Sequence, residues 1–140
     1  MAVTALGLTA GALLAEGAVL VPFWRSVPPE RFLAWYKDNA ARLQNFFGPL
    51  EIAAALLIFA AAGLAWVRQA DGRLLLTASA MLTLAVLAVF PLYFQRANTS
   101  FATGTIAAGQ VPAELRRWGA WHWVRTVLAA AAFACATVAS

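Results

Sequence analysis

Four stretches of this chain are long and apolar enough to cross a bilayer as helices: residues 3–24, 47–67, 74–94 and 115–139. A helix needs roughly 20 residues to span the hydrocarbon core. In lipid every backbone N–H and C=O must find its partner within the chain, which leaves helices or closed barrels. The stretches are rich in Ala and Leu and lack the two-residue alternation of barrel strands, so helices are predicted. The expected fold is an all-α integral membrane protein, a four-transmembrane-helix bundle forming one domain over residues 1–140.

Charge content points the same way. Only 11% of the residues are charged and 63% are hydrophobic, whereas soluble domains carry about a quarter charged residues. The first basic residue is Arg25 and the first stretch is too long for a signal-peptide core, so it is expected to be a retained span. It closes on Pro22-Phe23-Trp24, an interfacial ending. The single cysteine, Cys135, rules out an internal disulfide and Cys-x-x-Cys redox chemistry.

Three connections join the spans. In the first, residues 25–46, Pro28-Pro29-Glu30 is predicted to open a short amphipathic helix. Its Phe32, Leu33, Trp35 and Tyr36 would lie on the membrane surface between helices 1 and 2. The second, residues 68–73, reads as a tight turn around Asp71-Gly72. The third, residues 95–113, is polar and expected to be flexible, with Val111-Pro112 as a helix start.

The long connections share one membrane face and carry Arg25, Arg31, Lys37, Arg42, Arg96, Arg116 and Arg117. The other face holds Arg68 and Arg73. The positive-inside rule then predicts cytoplasmic long connections and outward termini; a bacterial inner membrane is the expected location. The net charge of +4 reads as orientation; no clustered basic motif indicates nucleic-acid binding. The expected partners are the lipid bilayer and a lipophilic small molecule. The Ala- and Gly-rich first span, with Gly7-x-x-x-Gly11, could also pack against a second copy as a homo-oligomer.

Ionisable residues inside a span are costly and usually mark a site. His122, the only histidine, and Arg125 fall within the fourth span. Glu16 lies about 12 Å inside the face marked by Trp24, at 1.5 Å per residue. Glu51 sits about one turn into the second span, and Arg96 and Asn98 come where the third reaches the same face. Trp118, His122 and Arg125 recur at i, i+4 and i+7, one stripe of a helix, with Trp121 beside it. Glu16, Glu51, Asn98, His122 and Arg125 are therefore predicted to converge on one cavity open towards the long connections.

In such a cavity His122 or Glu16 is a candidate general base. Arg125 could hold a phenolate or enolate oxygen by charge-assisted hydrogen bonding. Trp118, Trp121 and Phe101 offer flat faces to an aromatic substrate, with Asn98, Arg96 and Glu51 as further contacts. Each has a plainer alternative. Glu16 and Arg125 could merely neutralise one another, His122 could be an interhelical hydrogen-bonding residue, and the tryptophans could belong to an interfacial belt. Asn98 could cap or turn the chain. Glu16, Glu51 and His122 also make up the two-carboxylate, one-histidine set of a non-haem iron site, although no pair has local ligand spacing. A haem on His122 alone is a further option, so the cofactor stays open.

The layout resembles the anthrone-oxygenase-like family of small four-helix membrane proteins. The matching features are Trp24-Arg25, Pro28-Pro29-Glu30 with Phe32, Gly48-Pro49-Leu50, Pro91-Leu92, the Asn98 region, and Leu115-x-x-Trp118-x-x-x-His122-x-x-Arg125-Thr126. They cover nearly the whole chain, and the closing Trp-x-x-x-His-x-x-Arg pattern is the most specific. The resemblance implies that Asn98, Trp118, His122 and Arg125 form the recurrent polar signature. It also implies an oxygenase acting on a lipophilic aromatic or phenolic, anthrone-like substrate, with O2 as co-substrate. The alternative is a non-catalytic membrane protein that binds or transports a small molecule or serves as an assembly partner.

Overall fold

The computed structural model describes all 140 residues. The chain forms four long helices and no strand: α1 (Ala2–Ser26), α2 (Pro29–Val67), α3 (Arg73–Thr103) and α4 (Ala108–Val138). Each is long and apolar enough to cross a membrane, as the four apolar stretches require.

The expected short interfacial helix between the first two spans does not form as a separate element. Pro29–Val67 is one helix of 39 residues. Pro28 and Pro29 set its start, Pro29 being suited to a first turn where no N–H is needed. From Glu30 to Phe47 the sequence contains neither Gly nor Pro, so nothing stops the helix before Gly48-Pro49. Pro49 removes one N–H and crowds the carbonyl four residues back, yet the helix passes through it. Membrane helices tolerate such prolines where neighbours support the backbone.

Phe32 and Tyr36, expected to face lipid, are buried instead. With Trp24, Phe94, Phe101 and Trp118 they form an aromatic cluster that ties the outer half of α2 to the other three helices. Phe32 meets Trp24 and Phe101 at 5.8 and 5.0 Å between ring centres, and Tyr36 meets Phe101 at 5.4 Å. Aromatic pairs of this kind contribute about 0.5–1.5 kcal/mol each beyond area burial, which favours continuing the helix into the cluster.

The third connection is also shorter than expected. Gln95–Thr103 continues α3, so Asn98 lies within a helix and does not cap or turn the chain. Phe101 anchors this segment in the aromatic cluster. It ends at Gly104, whose φ of 66° is the left-handed conformation glycine adopts without a Cβ penalty. α4 opens with a single 3-10 turn, Ala108–Gln110, and its α-helical part starts at Val111 with Pro112 in the first turn, matching the Val111-Pro112 start signal.

Two π-turns interrupt the helices, Glu16–Leu20 in α1 and Phe90–Phe94 in α3. In each the hydrogen bond runs five residues back: Val21 N–H donates to Glu16 O, and Gln95 N–H to Phe90 O. Pro22 follows the first turn and Pro91 sits inside the second. A proline has no donor for the four-back bond, and a wider turn accommodates that. Such bulges recur at functional sites, and both here border the same cavity.

Packing differs along the bundle. At one end Leu6, Ala54, Ile58, Ala62, Ala80, Ala132 and Ala136 interlock, with Ser79 Oγ donating to Ala132 O at 2.7 Å. Small residues let backbones approach closely where hydrophobic driving force between helices is weak. At the other end lies the aromatic cluster. The polar residues sit between the two.

Candidate functional site

Glu16, Glu51, His122 and Arg125 are all buried, and three different helices carry them. Glu16 opens the π-turn of α1, Glu51 follows Pro49 on α2, and His122 and Arg125 share a face of α4. Arg125 Nη2 lies 3.4 Å from Glu51 Oε1 and 3.8 Å from Glu16 Oε2. The guanidinium carbon stands 4.7 Å from the centre of the Phe94 ring, an attractive cation–π placement. Two carboxylates thus share one cation. The separations exceed the roughly 2.7–2.9 Å of a tight charged hydrogen bond. Glu16 Oε2, Glu51 Oε1 and Arg125 Nε have no hydrogen-bond partner.

His122 is held from several sides. Its Nε2 lies 2.8 Å from the Leu13 carbonyl. A carbonyl only accepts, so Nε2 carries the hydrogen and donates it. Nδ1 then faces Glu16 Oε2 at 3.6 Å. The ring stacks on Trp118, with centroids 5.0 Å apart and planes 8° apart. Gly17 admits the opposite edge: a Cβ there would lie 3.0 Å from His122 Cδ2. Trp118 in turn donates from Nε1 to Asn98 Oδ1 at 2.8 Å.

A cavity of about 560 Å³ opens between α2 and α3 above these groups. The volume is within the roughly 300–1,000 Å³ of small-molecule sites. Glu16, Glu51 and Arg125 form its floor. Tyr36, Ala40, Gln44 and Phe47 line the α2 wall, Phe90, Phe94, Gln95 and Asn98 the α3 wall, and Trp118 the back.

The structure therefore gathers Glu16, Glu51, Asn98, Trp118 and Arg125 around one cavity. His122 lies behind Glu16 and Trp118 and does not line it. Phe101 is buried against Phe32 and Tyr36, 5.0 and 5.4 Å away between ring centres. Trp121 stacks on Tyr93 at 5.7 Å, away from the cavity. Arg96 borders a separate groove with Glu114 and Arg117. Sequence reasoning missed Tyr36, Gln44, Phe47 and Phe94. The signal was present: residues 36, 40, 44, 47 and 51 form one stripe once residues 29–67 are read as a single helix.

As placed, Glu16, Glu51 and His122 do not make an ion-binding cluster. Arg125 stands between the two carboxylates, and His122 Nε2 is engaged by Leu13. With Nε2 engaged by Leu13 and one ring face on Trp118, only Nδ1, which faces Glu16, is left unengaged on the ring.

A family profile described as anthrone oxygenase matches residues 32–135. No curated protein and no solved structure matches the chain. The matched region takes in most of α2, all of α3 and nearly all of α4, including Glu51, Asn98, Trp118, His122 and Arg125. The chain belongs to the anthrone oxygenase family.

Proposed function

We propose that the protein is a membrane oxygenase whose substrate is a lipophilic phenolic aromatic of the anthrone type, bound between α2 and α3. The observation that carries this reading is the floor of the cavity, where two buried carboxylates share one guanidinium beneath aromatic walls. One carboxylate therefore lacks a counter-charge of its own and can take a proton, while Arg125 receives the oxygen that gains charge.

A ring ketone set with its carbonyl towards Arg125 would present its activated methylene to Glu16. Removal of one methylene proton gives an enolate, whose negative oxygen Arg125 stabilises by a charge-assisted hydrogen bond. Phe47, Phe90 and Phe94 hold the rings by stacking and edge contacts. With its Oδ1 engaged by Trp118, Asn98 keeps its amide hydrogens for a second substrate oxygen. The overall change balances with O2 alone. The methylene becomes a carbonyl, losing two hydrogens and four electrons; one oxygen atom enters the product and the other leaves as water.

The test is quinone formation and O2 uptake with a hydroxylated anthrone and protein in nanodiscs. Wild type should exceed the uncatalysed rate, and Glu16→Gln should lose at least about 100-fold of that excess. Tight binding of the anthrone without any acceleration would make this a binding protein.

A further inference from the structure

We infer that Glu16 and His122 form a closed two-station proton relay: Glu16 exchanges protons with the bound substrate, and His122 stores them out of reach of solvent. The inference rests on the oxygenase reading above and assigns His122 a role that acts only through Glu16.

The hydrogen-bonding arithmetic leads there. Nε2 donates to the Leu13 carbonyl at 2.8 Å, so in the neutral ring Nδ1 carries a lone pair. That lone pair faces Glu16 Oε2 at 3.6 Å, and neither atom has another hydrogen-bond partner. While Glu16 is ionised, two acceptors confront each other. A proton arriving on Glu16 turns that contact into a donor–acceptor pair, which a small carboxyl rotation would tighten to hydrogen-bond length.

The ring cannot swing into the cavity to act directly. Trp118 covers one face, Gly17 abuts the edge bearing Cδ2, and Leu13 fixes Nε2. His122 is fully buried, whereas Glu16 lines the cavity. Beyond Nδ1 the route ends, because the far nitrogen already carries its hydrogen and points at a carbonyl. A proton passed to His122 can return only through Glu16.

A dead-end store suits this stoichiometry. Both hydrogens of the water released come from the substrate methylene, so no proton need be drawn from solvent. Glu16 takes the first methylene proton and passes it to Nδ1. It then returns it to the oxygen anion formed when O2 adds to the enolate carbon, giving a hydroperoxide. Glu16 removes the second methylene proton as the O–O bond breaks, and the departing hydroxide takes that proton to become water. The new carbonyl forms from the electrons of that C–H bond.

The experiment uses full-length protein in nanodiscs, without O2, and a hydroxyanthrone dideuterated at its methylene. Enolate formation is followed by absorption and loss of deuterium to water by mass spectrometry. In wild type, deuterium loss should lag well behind enolate formation and reversal, because the deuteron waits on His122. In His122→Gln, which keeps a donor for Leu13 but offers no store at the Nδ1 position, the two should run together. On admitting O2, multiple turnover should fall by about 100-fold in this variant, while the first deprotonation persists. His122→Asn, which places an amide near the Nδ1 position, should behave likewise and serves if the glutamine variant does not fold. Equal rates of deuterium loss and enolate formation in wild type would overturn the relay and leave the oxygenase reading intact. A variant that loses deprotonation and turnover equally would also overturn it, since a structural role does that. No enolate in wild type would overturn the oxygenase reading itself, and the relay with it.

Discussion

His122 lies flat against Trp118, 5.0 Å between ring centres and 8° from parallel. The pair shares the face of α4 that also bears Arg125, and the indole is itself tied to Asn98 on α3. A helix-to-helix hydrogen bond thus fixes the plane that fixes the imidazole. Replacing Trp118 by Phe keeps a stacking face but removes the Nε1 donor. The expected cost is about 1 kcal/mol of stability and a several-fold rise in KM for the aromatic substrate, read from denaturant titration and steady-state kinetics.

Gly17 should be intolerant for a different reason. An added Cβ would meet His122 at 3.0 Å from Cδ2 and 3.2 Å from Nε2. The ring has no room to retreat, since Trp118 and Leu13 hold it. Gly17→Ala should destabilise by about 1–3 kcal/mol through overpacking and reduce activity more than Gly11→Ala, whose Cβ would meet nothing within 4 Å. Thermal unfolding of the two variants side by side checks this. Equal behaviour would show that the close approach at Gly17 is not constraining.

Arg125 separates a structural role from a catalytic one. Arg125→Gln leaves Glu16 and Glu51 without their shared cation, and breaking a buried charge group of this kind costs about 3 kcal/mol. The triple variant Glu16→Gln, Glu51→Gln, Arg125→Gln carries no charge at this position and should recover much of that stability. It should remain inactive. Melting temperatures and quinone formation, measured on the same preparations, distinguish the two effects.

The cavity wall can be closed without touching the polar floor. Ala40 lies on the α2 wall and Ala102 on the α3 wall. Ala40→Phe or Ala102→Phe should raise KM at least about tenfold, or abolish substrate binding, while melting temperature stays near wild type. Unchanged substrate affinity in both variants would place the substrate elsewhere.

Much of this site is legible in the sequence because buried charge in an apolar span is rare and has few explanations. Glu16, Glu51, Asn98, Trp118 and Arg125 can be placed at similar depth by counting residues from interfacial landmarks, and the structure brings them together. Counting depth does not give the direction in which a side chain points. Trp121 and Arg96 lie at suitable depth but on faces turned away, towards Tyr93 and the Glu114 groove. The helix boundaries were the weaker part. Amphipathic Phe32 and Tyr36 suit a membrane surface as well as an aromatic cluster, and only tertiary packing decides between them. The π-turns, which place Glu16 and Phe94, leave no mark beyond a nearby proline.

The most direct measurement is a single turnover of a hydroxyanthrone under ¹⁸O2, with the quinone analysed by mass spectrometry for wild type and Ala40→Phe. Oxygenation in this cavity predicts one labelled oxygen atom per quinone from wild type, at a rate above the uncatalysed reaction, and only the uncatalysed rate from the blocked variant. A quinone whose new oxygen is unlabelled, or equal rates from the two proteins, would contradict it.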